Sequence, residues 1–565
     1  DQGAADYIFA ANGSDVVLGG SGADVIDAGT DTGRDIVVGD NGQALFDLHG
    51  VLREIRTTVP ATGGDDVILV GDGDDVVLGG VGTDYINVDP TTLLHIGTDS
   101  GDDVIIGDNG FVLFDTSTGV SVILQAETTD PDQGARDYIF AANGSDVVLG
   151  GSGADVIDAG TDTGRDIVVG DNGQALFDIH GVLREIRTTV PATGGDDVIL
   201  VGDGDDVVLG GVGTDDINVD PITLLPIGTD SGDDVILGDN GFVLFDTSTG
   251  VSVIQQAETT DPDQGARDYI FASNGSDVVL GGSGADVIDA GTDAGRDIVV
   301  GDNGQALFDL HGVLREIRTT VPATGGDDVI LVGDGDDVVL GGVGADYINV
   351  DPITLLPIGT DSGDDVILGD NGFVLFDTST GVSVIQQAET SDPDEGADDY
   401  IFASNGSDVV LGGSGADVID AGTDTGRDIV VGDNGLALFD IHGVLREIRT
   451  TVPATGGDDQ ILVGDGDDVV LGGVGTDYIN VDPITLLPIG TDNGFVLFDT
   501  TTGFSIIQRA ETSEPVDGAS DYIFAADGSD VVLGGTGADV IDAGTDGSRD
   551  IVVGYNGRAL FSLTG

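Results

Sequence analysis

The sequence predicts an all-β fold: a parallel β-roll, or β-solenoid, with β-hairpins inserted at regular intervals. Three observations predict it. The pattern Gly-Gly-x-Gly-x-Asp-x-(aliphatic)-x recurs along the chain, and its cleanest copy runs from Gly19 to Asp27. Aspartates stand nine residues apart at Asp6, Asp15 and Asp24, and again at Asp66, Asp75 and Asp84. Finally, material is lost in a packet of nine. Asp6-Tyr7-Ile8-Phe9 returns at Asp137, Asp268, Asp399 and Asp521, in three steps of 131 residues and one of 122. In the fourth copy Gly490-Thr491-Asp492-Asn493-Gly494 stands where the third has Gly359 through Gly372, one nonapeptide longer.

Internal repetition overrides the usual reading of length as a count of globular domains. The expected organisation is repeat units at 1–131, 132–262, 263–393 and 394–515 (the last one nonapeptide shorter), with a partial unit at 516–565. Near-identity between units argues against a set of unlike catalytic domains. Neither end carries a distinct cap, which a stack of repeats needs for solubility, so the native polypeptide is expected to continue or polymerise.

Within a unit, the first element is the half-coil. Glycines supply left-handed turn geometry. Val16-Val17-Leu18, Val25-Ile26 and Val76-Val77-Leu78 are short strands whose central residue points inward. These runs are too short and too glycine-punctuated for helix. The second element is the hairpin, twice per unit. One comprises Ala44–Asp47, a turn at Leu48–Gly50 and Val51–Arg56; the other Phe111–Asp115, a turn at Thr116–Gly119 and Val120–Ile123. Both have strand composition around a glycine-bearing turn. Each follows Gly-Asp-Asn-Gly (Gly39 to Gly42, Gly107 to Gly110), a coil turn in which the ladder aspartate is replaced.

Four aspartate-bearing half-coils precede each hairpin in the first unit, and two half-coils make one turn. Strands stack about 4.8 Å apart, so two turns advance about as far as one two-stranded hairpin is wide. Successive hairpins could therefore pair into a continuous side sheet. Val88 to Thr98 is read as a surface bulge; were it a further half-coil, alternate hairpins would fall on opposite sides. The shortened fourth unit is expected to show a flipped hairpin or a rebuilt bulge.

Composition narrows the function. The formal net charge is −87, from 104 acidic and 17 basic residues. Aspartates outnumber glutamates 94 to 10, and every cation is arginine. Such a balance excludes nucleic-acid binding through phosphate neutralisation and disfavours anionic membranes. Disorder is disfavoured because 39% of the residues are hydrophobic. Adaptation to high salt explains the acid count but neither the spacing nor the excess of Asp over Glu. Without cysteine there are no disulfides or thiolate metal sites. No apolar run approaches the roughly 18 residues of a membrane-spanning helix, so membrane insertion is not expected.

One carboxylate returns to the same corner with each half-coil. Carboxylates near 5 Å apart repel by about 3 kcal/mol at an effective dielectric of 20, so the spacing predicts a metal ladder. Its members are Asp6, Asp15, Asp24, Asp35, Asp66, Asp75, Asp84 and Asp103 in the first unit. The second has Asp137, Asp146, Asp155, Asp166, Asp197, Asp206, Asp215 and Asp234. The third has Asp268, Asp277, Asp286, Asp297, Asp328, Asp337, Asp346 and Asp365. Asp399, Asp408, Asp417, Asp428, Asp459, Asp468 and Asp477 follow in the fourth, then Asp521, Asp530, Asp539 and Asp550. Calcium prefers carboxylate and carbonyl oxygens, and short Asp fits a tight turn where Glu does not.

The motif strongly resembles the repeats-in-toxin (RTX) calcium-binding nonapeptide. The resemblance covers the aspartate-bearing half of each unit. It implies turns of six residues and strands of three, with Ca²⁺ between successive turns. The implied ligands are the sixth-position aspartates and turn carbonyls such as Gly19, Gly22, Gly71 and Gly73, with third-position Asn12 and Asp72 as extra ligands. Asp35 follows a two-residue insertion and has Arg34 beside it, which suggests an altered site; Asp66 and Asp103 follow loops, which suggests incomplete ones. With about one ion per half-coil, some 70 positive charges would offset the −87. The apo chain is then expected to be largely unfolded, because binding free energy becomes folding free energy.

No other residues suggest catalysis, and the chain is not expected to be an enzyme. His49, His180, His311 and His442 fall in one hairpin turn, and His95 is alone. Arg53 and Arg56, like Arg184 and Arg187, are expected to pair locally with Glu54 and its copies, or to dock on an acidic neighbouring chain. The expected function is that of a secreted, calcium-stabilised stalk, adhesin shaft or filament of about 17 turns and about 80 Å, with self-association through hairpins or chain ends. The resemblance implies type I secretion from a bacterium. The alternatives are the repeat region of a larger exported toxin or hydrolase, and a surface-layer lattice protein.

Overall fold

The computed structural model describes residues 3–97, 99–228, 230–359, 361–452, 454–464, 468–480, 494–499, 506–512, 520–524, 531–542 and 551–561. The chain forms two compact bodies, Asp1–Ser283 and Gly284–Gly565.

In the first body, nearly every nonapeptide ends in a three-residue strand. The first unit runs Tyr7–Phe9 (β1), Val16–Leu18 (β2), Val25–Asp27 (β3), Ile36–Val38 (β4), Gly42–Phe46 (β5) and Leu52–Thr57 (β6). It continues with Val67–Leu69 (β7), Val76–Leu78 (β8), Tyr85–Ile86 (β9), Val104–Ile106 (β10), Gly110–Asp115 (β11) and Val122–Thr128 (β12). Successive half-coils alternate between two parallel sheets. In the first sheet Ile8 lies opposite Ile26, Ile26 opposite Ile68, and Ile68 opposite Ile86. In the second, Val17 lies opposite Val37, Val37 opposite Val77, and Val77 opposite Ile105. The second unit joins without a break in register, through Ile86 and Ile139 and through Ile105 and Val148.

The central residue of each strand fills the narrow core. Ile26, Ile68 and Ile86 from one sheet and Val37, Val77 and Ile105 from the other are wholly buried. Each such aliphatic stabilises by about 1.5–3 kcal/mol relative to exposure. The outer faces of the two sheets differ. In β3 and β7 only the central residue is buried, whereas all three are in β4, β8 and β10.

A third layer, made of the hairpins, covers the second sheet. β5 pairs with β6 and β11 with β12, both antiparallel. β6 also pairs with β11 (Ile55 opposite Val112), and β12 pairs with Gly173–Phe177 of the next unit (Ala126 opposite Ala175). The hairpins of this body thus make the expected side sheet, packed against the second sheet. The second body repeats the arrangement: Leu314–Thr319 pairs with Gly372–Asp377, and Val384–Thr390 with Gly435–Phe439.

One sequence expectation changes and another holds. β12 does not end at Ile123 but runs to Thr128 through Gln125-Ala126-Glu127. Pairing on both sides holds this stretch extended, although Gln, Ala and Glu have little preference for strands. The stretch from Val88, described as far as Gly97, is a bulge and not a half-coil, because the strand after it, β10, lies in the second sheet. Val88 bridges His95, and the Asp89 and Leu94 backbones close the small loop. His95 stacks on Phe140 with ring centroids 4.6 Å apart.

In the fourth unit the hairpin is not flipped: Gly494–Asp499 pairs with Leu445–Thr450 as its counterparts do. Tyr478–Ile479 continues the first sheet into Tyr522–Phe524. Among the described residues, Val531–Leu533 does not join the second sheet but pairs with Ile551–Val553 in a two-stranded sheet of their own. That is the result expected when one second-sheet strand has dropped out with its nonapeptide. The alternative expectation, a rebuilt bulge, falls on residues 481–493, outside the described residues.

Candidate metal centre

The two sheets place the aspartates in two ladders. Each ladder aspartate precedes a strand, so its backbone joins the stack while its side chain stays in the corner. In the first ladder Asp6 N donates to Asp24 Oδ1 (2.8 Å), Asp24 N to Asp66 Oδ1 (2.7 Å), Asp66 N to Asp84 Oδ1 (2.8 Å) and Asp84 N to Asp137 Oδ1 (2.8 Å). It continues through Asp155, Asp197, Asp215 and Asp268. The second ladder links Asp15, Asp35, Asp75, Asp103, Asp146, Asp166, Asp206, Asp234 and Asp277 in the same way.

The second body has one ladder through Asp286, Asp328, Asp346, Asp399, Asp417, Asp459 and Asp477. Asp521 N donates to Asp539 farther along. The other ladder runs through Asp297, Asp337, Asp365, Asp408, Asp428 and Asp468. Asp530 and Asp550 lie outside the described residues.

In many rungs one carboxylate oxygen is thus occupied and the other is not. Oδ2 of Asp24, Asp66, Asp75, Asp84, Asp103, Asp137, Asp146 and Asp155 is buried and accepts no hydrogen bond among the described residues. The same holds for Asp328, Asp346, Asp399 and Asp417. A buried carboxylate oxygen with no donor is costly. Burial pushes Asp66 and Asp146 up to about 8 and Asp75 up to about 7, and neighbouring carboxylates add to the rise. Burial likewise drives Asp84, Asp103 and Asp137 well above the ordinary carboxylate range.

Glycine opens the space into which these oxygens point. A Cβ on Gly107 would lie 2.5 Å from Asp137 Oδ2 and would collide with the Gly150 carbonyl oxygen. On Gly150 it would lie 2.7 Å from Asp155 Oδ2 and would strike the Gly170 carbonyl. These first-ladder corners therefore gather a carboxylate oxygen and a main-chain carbonyl where a side chain would not fit. The donors are all hard oxygens, the set that suits Ca²⁺.

This is the chemistry that the comparisons name. The family model for the RTX calcium-binding nonapeptide repeat matches residues 2–33, 12–43, 60–89, 134–164, 143–174, 191–220, 264–296, 271–305, 322–351, 395–427, 453–482 and 517–549, together more than half of the chain. The chain belongs to this family. It is a calcium-binding repeat protein with the family's parallel β-roll, and the oxygen-lined corners fit the ion. No curated protein matches the chain. Among the described residues no helix is long and apolar enough to cross a membrane.

The remaining sequence candidates divide. The Gly73 carbonyl abuts Gly101 in the second-sheet corners, and the Gly22 carbonyl lies 2.7 Å from where a Cβ on Gly64 would be. Gly19 and Gly71 are themselves pressed by other chain segments: a Cβ on Gly19 would lie 2.8 Å from Asp24 Oδ2, and one on Gly71 2.8 Å from the Gly29 carbonyl. Asn12 is exposed, and Asp72 accepts a hydrogen bond from the Ser100 hydroxyl (3.0 Å). Asp66 and Asp103 sit in the ladder like their neighbours, because interstrand bonds hold the register across the preceding loop.

Arg34 turns away from Asp35. Its guanidinium lies 5.2 Å over the Phe114 ring, and Nη1 donates to the Ser121 carbonyl (3.3 Å). Arg56 pairs with Glu54 at 3.0 Å, the local partner expected.

Two kinds of aspartate escaped the sequence reading. Asp40 of Gly-Asp-Asn-Gly is buried, accepting from Gly64 N (3.2 Å) and Val81 N (2.6 Å). Asp99, at the end of the bulge, lies with Asp75 and Asp103 in one cluster. Its signal was present in the recurrence of Asp99, Asp230 and Asp361, each four residues before a ladder aspartate.

Proposed function

We propose that this chain is a secreted, non-catalytic structural protein that serves as a rigid extracellular stalk, adhesin shaft or filament. In this reading the ladder aspartates are the calcium ligands, with about one ion per half-coil. Export follows the type I route of the family, and folding begins when the chain meets millimolar calcium outside the cell. The observation that carries the reading is the side sheet. In each body hairpin bonds to hairpin beside a coil whose described turns are linked by hydrogen bonds from backbone N–H to ladder carboxylates, an arrangement that resists bending and shear. Near-identity of the units suits a spacer, whose task is length.

Electron microscopy of intact producing cells, labelled with antibody against the hairpins, tests it. The expected result is label on surface projections that shorten when 131-residue units are deleted. Label confined to the cell interior would overturn the proposal. Label that travels with a soluble toxic or hydrolytic activity would do so in favour of the carrier role.

A further inference from the structure

An ordinary rung of either ladder brings together two successive aspartates. Among the described residues, one rung in each of three units brings together three. Asp75 and Asp103 share their corner with Asp99, and one oxygen from each lies within 4.8 Å of the other two. All three residues are buried. The same cluster recurs as Asp206, Asp230 and Asp234, and as Asp337, Asp361 and Asp365. Asp99 occupies the second position of its nonapeptide, where the motif carries glycine, so the repeat itself does not account for it.

The bulge delivers this third carboxylate. Asn87 leaves β9 with a left-handed backbone (φ 56°), and its carbonyl accepts from Ile96 N (2.7 Å). The Asn87 amide then donates to Asp99 Oδ2 and to the Phe140 carbonyl, both at 3.2 Å. Ser100 N donates to Asp99 Oδ1 (2.8 Å). These bonds aim Asp99 at the ladder. There the Oδ2 atoms of Asp75 and Asp103 are buried and accept nothing among the described residues. The positive charge beside this corner is Arg34, and its guanidinium is turned onto Phe114. Three carboxylates therefore converge against one nearby guanidinium, which offsets only part of their charge, and a divalent cation of the calcium type matches that need.

We propose that Asp99, Asp230 and Asp361 each complete a three-carboxylate calcium site, distinct from the ordinary rungs, that fills first and clasps the bulge to the coil. Affinity at oxygen sites rises with the number of charged ligands and with rigidity, and both are greater here. The location is also where the coil needs a clasp, since an inserted loop adds closure entropy between β9 and β10. The fourth unit lost a nonapeptide here and with it the counterpart of Asp103, so it lacks the site. The inference rests on calcium binding alone and stands or falls independently of the shaft role.

Calcium titration of the full chain against a competing fluorescent chelator tests it. About three sites per chain should fill at calcium concentrations at least tenfold below the rest. The triple variant Asp99→Asn, Asp230→Asn, Asp361→Asn should weaken that class about tenfold or more. The charge-matched control Asp102→Asn, Asp233→Asn, Asp364→Asn, at exposed positions, should leave it intact. A triple variant that titrates like the unsubstituted chain would overturn the proposal, as would loss of the tight class in the control.

Europium luminescence lifetimes on the unsubstituted chain, in H₂O and D₂O, decide the matter if the triple variant does not fold. The first three or so equivalents should carry fewer bound waters than later ones. Equal hydration from the first ion onward would refute the site.

Discussion

Asp84 stands in a turn of the coil, and Asp40 in the Gly-Asp-Asn-Gly turn before the first hairpin. Both are buried, and burial raises both, Asp40 to about 7 and Asp84 well above the ordinary range. Asp40 uses both carboxylate oxygens, accepting from Gly64 N and Val81 N, while Asn41 donates to Ser21 and Thr62. Asp84 uses one oxygen, on Asp66 N, and leaves the other sealed from water without a donor. The first is a finished brace between hairpin and coil. The second is half of a site, completed by a cation or by a proton. Burial and a raised pKa do not distinguish the two; the number of backbone N–H groups that reach the carboxylate does.

The largest effect should come from removing the ions. After exhaustive chelation at neutral pH the full chain should lose most of its β-sheet circular dichroism and regain it with millimolar calcium. Retention of the full β signal would mean that the half-satisfied corners do not govern folding.

Acid should partly replace the metal. Asp66 and Asp146 titrate near 8 and Asp75 near 7 in the folded chain, against about 3.9 for an unfolded aspartate. The folded chain therefore binds more protons across that interval. The resulting stabilisation is complete below about pH 4 and is lost as the pH rises through about 7 to 8. In chelator, the β signal should grow as pH falls from 8 to 4; a flat profile would contradict the assignment.

Single substitutions sharpen the contrast. Asp84→Asn should raise the calcium needed for half-maximal folding about two- to fivefold, because a rung loses one charged ligand. Asp40→Asn should leave that midpoint unchanged but cost about 1–3 kcal/mol in saturating calcium, because an amide nitrogen cannot accept from a backbone N–H. Denaturant titrations at fixed calcium separate the two outcomes. A calcium shift in the Asp40 variant would erase the distinction.

The smallest effect concerns the outer face of the first sheet. Tyr85 and Tyr138 stack there at 5.2 Å, as do Tyr347 and Tyr400, but Asp216 stands at the equivalent place in the second unit beside Tyr269. Asp216→Tyr should stabilise by about 0.5–1 kcal/mol, read as a rise in melting temperature in saturating calcium.

Much of the fold was legible because it is local. The nine-residue period, the glycine turns and the inward central aliphatic are properties of each nonapeptide, so Ile26 and Val77 could be placed in the core before any contact was known. The hairpin turns were legible for the same reason, and Asp47 caps the first by accepting from His49 N and Val51 N. The second strand of the second hairpin was not. Gln125, Ala126 and Glu127 become strand because Gly173–Phe177 of the next unit pairs with them.

By itself the sequence determined the alternation of half-coils, the recurrence of carboxylates at a corner and the demand for cations. Each follows from residue type and spacing. Only the tertiary structure decided which backbone N–H each carboxylate meets, since the partner lies 18 residues away for Asp6 and Asp24 but 53 away for Asp84 and Asp137. The reason is that parallel strands are registered by their own hydrogen bonds and not by the length of the connection between them. A loop, a bulge or a whole hairpin can therefore be inserted without disturbing the ladder, and Asp99 can reach a corner that its motif position did not assign to it.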